Sequence, residues 1–99
     1  MKVRIATSAE RDLLAGHAFY ERQQEGLGAY FLDSLFSDID SLQLYAGIHP
    51  KPIGRFHRTL SKRFPFAIYY DVSEDVATVV AVPDCRRNPA AIVARLHAS

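Results

Sequence analysis

Two runs in the second half of the chain, FAIYYDV at 66–72 and VATVVAV at 76–82, constrain the fold more than any other feature. In the first, Phe66, Ile68, Tyr70 and Val72 alternate with Ala67, Tyr69 and Asp71, the period of a strand whose two faces differ. SED between the runs reverses the chain, so they pair as antiparallel neighbours. The second run is apolar almost throughout, which predicts a strand central in its sheet and covered on at least one face by helices. Tyr69 and Tyr70 fall on opposite faces of their strand; Tyr70 is expected in the core and Tyr69 exposed or half-exposed.

Upstream, residues 55–61 form a third strand of the meander, and KVRIA near the N-terminus, with Val3 and Ile5 alternating against Lys2 and Arg4, is a separate first strand. Between them the period changes to that of helices. Thr7 stands three residues before Glu10, as in a capping box, and Ala9, Leu13, Gly16 and Tyr20 form one stripe. Gly26 supplies the left-handed residue at the helix end. From there to residue 46, Leu27, Phe31, Leu35, Ile39 and Leu42 repeat at helical spacing with Leu32, Phe36 and Tyr45 alongside; the aromatic stripe of Phe31, Phe36 and Tyr45 reads as core. GIHPKPIG at 47–54 has two Pro and two Gly and is the long connection back into the sheet. A short terminal helix is expected within AAIVARLHA. The predicted class is α+β: an N-terminal strand, an antiparallel two-helix hairpin laid on one side of a three-stranded antiparallel meander, and a C-terminal tail helix, all in one domain spanning 1–99.

Size and composition narrow the function classes. Ninety-nine residues with 48% apolar and 23% charged side chains suit one globular domain. No apolar run approaches the roughly 18 residues of a membrane span, and the N-terminus does not read as a secretory signal, so no membrane partner and a cytoplasmic location are expected. Cys85 is the single cysteine, so an internal disulfide is excluded. His17, His49, His57 and His97 lack ligand spacing, so no metal site is predicted. Cys85 has no His–Asp relay in the sequence to mark it as a nucleophile. No cofactor is expected.

Net charge is +1, but it is segregated. Residues 1–46 carry four cations against seven carboxylates, whereas 51–64 carry Lys51, Arg55, Arg58, Lys62 and Arg63 with no acid. Arg86, Arg87 and Arg95 form a further basic cluster. The candidate binding residues are therefore Arg55, Arg58, Lys62, Arg63, Arg86 and Arg87, a positive surface for a macromolecule. The alternative for each is structural: cations that solvate an edge strand, or that pair with Asp84 or Asp71.

GLGAYFLDSL at the start of the second helix, RTLSKRFPFAIYYDV across two strands, and TVVAVPDCRRNP near the end together resemble the RelE/ParE superfamily of toxins, also called plasmid stabilisation proteins. The resemblance runs from Val3 to about Pro89. It implies the toxin of a type II toxin–antitoxin module, neutralised by a cognate antitoxin and reaching operator DNA only through that antitoxin. RelE-like members cut messenger RNA on the ribosome; ParE-like members inhibit DNA gyrase by binding it. In this sequence Ala67 occupies the place where RelE-like chains carry an Arg, and the tail after Arg87 has Ala and Ile where they carry Tyr. The ParE-like branch, with no catalytic residue, therefore fits better. An RNase would have to work through Arg58, Arg63, Arg87 and His97, and a member that keeps only antitoxin binding is the third reading.

Overall fold

The computed structural model describes residues 1–98. β1 (Lys2–Ile5) leads into α1 (Thr7–Gln23) and α2 (Leu27–Asp40), with a single further turn α3 (Leu42–Tyr45); β2 (His57–Leu60), β3 (Ala67–Ser73) and β4 (Val76–Ala81) follow, and α4 (Pro89–His97) closes the chain. The strands form one sheet in the order β1-β4-β3-β2. β2, β3 and β4 are the expected antiparallel meander, whereas β1 joins β4 in parallel, so the sheet is mixed rather than wholly antiparallel. The α+β class, the hairpin, the central position of β4 and the tail helix are as the sequence predicts.

α1 and α2 pack together where their side chains are smallest. A Cβ added to Gly16 would meet the Phe31 ring at 2.4 Å, and one added to Gly28 would meet the His17 carbonyl at 2.7 Å. The Phe31 ring thus lies directly on the backbone of α1. Around it Tyr20, Phe64 and Phe66 form a nest of edge-on and tilted rings with centroids 4.9 to 6.2 Å apart. Burial of each such ring contributes about 1.5–3 kcal/mol. The turn between the helices is held by Glu21, whose carboxylate accepts from the backbone N–H of Gly26 and Gly28. These bonds to the charged form lower its pKa. Gly26 has φ 86°, the left-handed conformation its sequence position predicts.

The main core lies between this hairpin and one face of the sheet, where Ile68, Tyr70, Ala77 and Val79 meet Leu13, Phe31, Leu35 and Ile39. The other face is also covered. Phe56, Ala67, Tyr69 and Ala81 form a second cluster closed by Leu96 and Ile92 of α4. The tail helix is therefore a layer of its own. Tyr69, expected at the surface, is only 3% exposed for this reason, while Tyr70 is in the main core as expected.

β4 serves both clusters through an irregularity. Tyr69 pairs with Ala81 but Tyr70 with Val79, so Val80 is an extra residue in the ladder. The bulge lets Val80 and Ala81 both reach the second cluster and returns Val82 to the first. The freed Val80 carbonyl accepts a hydrogen bond from the Ser8 hydroxyl at 2.7 Å. The capping box expected at Thr7 does not form. The Ala6 N–H donates to the Val79 carbonyl as β1 follows β4, so the helix begins one residue early with Ala6 as its N-cap and Thr7 already helical.

Two other expectations are corrected. Phe36 is 41% and Tyr45 52% exposed, so neither belongs to the core. Phe36 lies about 100° round the helix from buried Leu35, and Tyr45 ends a short turn formed after α2 stops at Asp40. The third strand of the meander is also shorter than expected, because Gly54 at φ 57° turns the chain back on itself through the Ile53–Phe56 bridge.

The close approach at Gly16 generates a test. Gly16→Ala is expected to destabilise the fold by about 1–3 kcal/mol through overpacking against Phe31, although alanine is the better helix former. Urea unfolding of the two proteins measures the sign: a gain in stability from the substitution would show that the helices do not approach as described.

Candidate functional site

The predicted cations separate into distinct environments. Arg58 stands on β2 opposite Tyr69 and lines a groove between the sheet and α4, together with Leu60, Tyr69, Cys85, Arg87 and Ile92. The groove has a volume of about 190 Å3 and is mainly apolar, with the two guanidiniums at its margin. Ala67 lies in its wall, so a methyl group stands where the RNase pattern calls for a cation. Cys85 shares this margin. Partial burial and the Asp84 carboxylate push its thiol pKa up, while Arg58 opposes them.

Arg86 is paired with Asp84 in a fork, Nε to Oδ1 at 3.0 Å and Nη2 to Oδ2 at 2.7 Å. Its guanidinium and its backbone N–H hold the Asp84 pKa down, with Arg87 adding to the effect. Arg55 does not line the groove: its Nε lies 3.2 Å from Asp71 and its guanidinium stacks on Phe56. Lys62 and Arg63 are in the irregular turn between β2 and β3 rather than on a strand. The Arg63 guanidinium lies 6.0 Å from the centre of the exposed Tyr30 ring. His97 is exposed at the end of α4. Of the four residues that an RNase would use, Arg58 and Arg87 therefore line the groove and Arg63 and His97 do not.

Arg95, grouped with Arg86 and Arg87 in the sequence, has a different role. Its guanidinium makes two bonds to the Asp12 carboxylate, at 2.8 and 2.7 Å, and a third to the Ser8 carbonyl at 3.2 Å. Asp12 also accepts the Val82 N–H at 2.7 Å. One carboxylate so ties α1, the end of β4 and α4 together and fixes the groove's helical wall. The acidic first half of the chain repeats this device at Asp38, which is buried and accepts from the Ser61 hydroxyl and the Lys62 N–H.

The opposite wall of the groove belongs to loop 46–56, which contributes Pro52 and Ile53. It is anchored on Tyr70. The phenol oxygen accepts the Gly47 N–H at 3.0 Å and is bonded to His49 Nδ1. His57 stacks on the same ring and donates from Nδ1 to the His49 carbonyl at 2.7 Å. The Arg58 N–H donates to Pro50, so the loop also covers the outer edge of β2. Burial lowers the His49 pKa, with His57 adding to it, and burial raises that of Tyr70. Both shifts favour neutral partners: a phenol that donates and an imidazole that accepts.

Sequence reading did not find a second cleft, between α1 and the segment after β4, where Asp12, Phe19 and Arg22 face Asp84 and Arg87. Its signal was present as the 12, 15, 19, 22 spacing on one side of α1, beside the apolar stripe. No group of three or more His, Cys, Asp or Glu able to hold a metal ion is present among the described residues. No helix among them is long and apolar enough to cross a membrane.

A hairpin of helices on one face of a four-stranded mixed sheet, with a tail helix across the other, defines the class of protein. Among solved structures the chain is similar to one described as the chromosomal ParDE TA system from P. aeruginosa, with a TM-score of 0.76, 17% identity, and coverage of 85% of this chain and 95% of that one. The chain has a ParE-like fold. No protein-family model matches it, and no curated protein matches its sequence.

The loop anchor has a pH signature. The His49 pKa is lower in the folded state, so the unfolded chain binds more protons, and stability is lost as pH falls from about 6.5 through the folded value. Urea unfolding at several pH values between neutrality and mild acid is expected to show this slope in the parent protein and a flatter one in His49→Gln. Equal slopes in both proteins would remove the proposed anchor.

Proposed function

We propose that the chain is the toxin of a toxin–antitoxin pair, acting in the cytoplasm by binding DNA gyrase and held inactive by a cognate antitoxin. The carrying observation is the shared fold with a chain of a ParDE system. The site's chemistry agrees with action by binding. Its groove is mainly apolar and lined by two guanidiniums, while Arg63 and His97, which a phosphoryl-transfer centre would also use, lie outside it. An RNase of this kind needs cations and a proton-transfer group acting on one phosphate, and Ala67 and the remote His97 supply neither in the groove.

The antitoxin's mode of binding follows from the surface. Leu60, which lines the groove, is 59% exposed, and Arg87 in the same groove is a solvent-facing cation. An acidic amphipathic segment is complementary to both. Such a segment neutralises the toxin by covering the face that gyrase would meet.

Induced expression together with two assays on purified protein tests the reading. Supercoiling by gyrase is expected to be inhibited while translation in a cell-free system continues, and co-expression of a cognate antitoxin is expected to restore growth. Arg87→Glu should relieve toxicity in a folded protein, whereas Arg86→Glu should relieve it less because Asp84 already neutralises that side chain. Prompt arrest of translation with cut messenger RNA would replace this reading by the nuclease, and absence of any toxicity would replace it by a protein retained for antitoxin binding.

A further inference from the structure

The cleft between α1 and segment 82–87 has a volume of about 380 Å3, within the ~300–1,000 Å3 range of small-molecule sites. It is distinct from the groove under α4, although Arg87 lines both. One wall is a single face of α1 carrying Asp12, Phe19 and Arg22; the other carries Asp84 and Arg87.

Its charges are unequally satisfied. Asp12 is bonded to Arg95 and to the Val82 N–H. Asp84 is forked by Arg86. Both carboxylates are therefore neutralised by partners of their own. The side chains of Arg22 and Arg87 form no salt bridge or hydrogen bond among the described residues. Two guanidiniums with no hydrogen-bonded partner thus face one cleft, although Arg87 is also within reach of the Asp84 charge. Each offers a planar fork of donors matched to phosphate oxygens. Beside them the Phe19 ring is 43% exposed and held edge-on to Tyr20 at 5.1 Å, which leaves an ordered phenyl surface open in the same wall.

Dianionic charge next to a flat apolar group is the chemistry of a nucleotide. A carboxylate-bearing peptide would satisfy the two cations but has no need of the ring. We propose that this cleft binds a nucleotide unit, with its phosphate on Arg22 and Arg87 and its base against Phe19. The unit comes either from a free nucleotide or from an exposed position in a nucleic-acid strand.

Titration of the purified protein with adenosine monophosphate, inorganic phosphate, a short single-stranded oligonucleotide and a glutamate-rich peptide, followed by calorimetry and by amide NMR shifts, tests the proposal. Saturable binding of the mononucleotide is expected, with shifts on α1 from Asp12 to Arg22 and around Arg87. Arg22→Glu and Arg87→Glu should each weaken it by roughly tenfold or more, the loss of a charge-assisted bond. Arg11→Glu changes the net charge equally but lies outside the cleft, and it should leave binding unchanged. Phe19→Ala should weaken the nucleotide by about tenfold through lost stacking and leave inorganic phosphate unaffected. Arg11, Phe19 and Arg22 are all at the surface of α1, and unaltered thermal unfolding verifies that each variant folds. An oligonucleotide that binds more tightly than its monomer assigns the unit to a strand, and equal affinity assigns it to the free nucleotide; both support the site. Absence of saturable binding overturns it, as does an equal loss in Arg11→Glu, a phosphate affinity matching that of the nucleotide, or displacement of the nucleotide by the acidic peptide at equal concentration.

Discussion

Tyr69 and Tyr70 are adjacent in the chain and both buried, one in each of two apolar clusters on opposite faces of the sheet. That double burial is what the remaining structure has to accommodate. A sheet with one covered face can leave alternate side chains in water; this one cannot, so both a helix hairpin and a tail helix are needed. The bulge at Val80 is the geometric consequence. β4 needs small or branched residues facing both layers near its end, and one extra residue in the ladder allows consecutive side chains to face the same layer. The bulge also re-aims the chain at Val82, so that the segment carrying Asp84, Arg86 and Arg87 leaves the sheet between α1 and α4.

Helix contacts on the two sides differ in kind. On the hairpin side, close approach at Gly16 packs the Phe31 ring against backbone, Gly28 approaches the His17 carbonyl, and Glu21 bonds the turn. On the tail side the helix is short, and its apolar contribution is mainly Leu96 and Ile92. There Arg95 and Asp12 add a bidentate ion pair whose carboxylate is further fixed by the Val82 N–H. Replacing either partner would leave a part-buried charge with a group it could no longer satisfy, a cost of the order of 1–3 kcal/mol.

The uneven charge of the chain acquires its meaning from these contacts. Carboxylates of the acidic first half reach across to the second half at Asp12 and Asp38, so part of the segregation is used internally to join the halves. Asp71 and Asp84 neutralise Arg55 and Arg86 locally. What is left for a partner is a smaller set than the sequence count implies, with Arg58 and Arg87 at the groove and Arg22 in the neighbouring cleft. Exposed ion pairs of this sort contribute little to stability, but they decide which cations remain available.

Local pattern determined the element types: a two-residue repeat through 66–72, a continuous apolar run at 76–82, a helical repeat through 27–42, and Gly and Pro where each had to stop. These are local properties, set by where a side chain points along its own backbone. From them followed the α+β class, the hairpin, the meander and the central place of β4. The parallel pairing of β1, the burial of Tyr69, the exposure of Phe36 and the loss of the Thr7 cap were not legible, because each depends on which distant segment covers a face. The candidate site was legible as a set of cations but not as a site. Whether an arginine faces a partner or an aspartate is decided between residues as far apart as Asp12 and Arg95, and only the folded chain brings them within a hydrogen bond of one another.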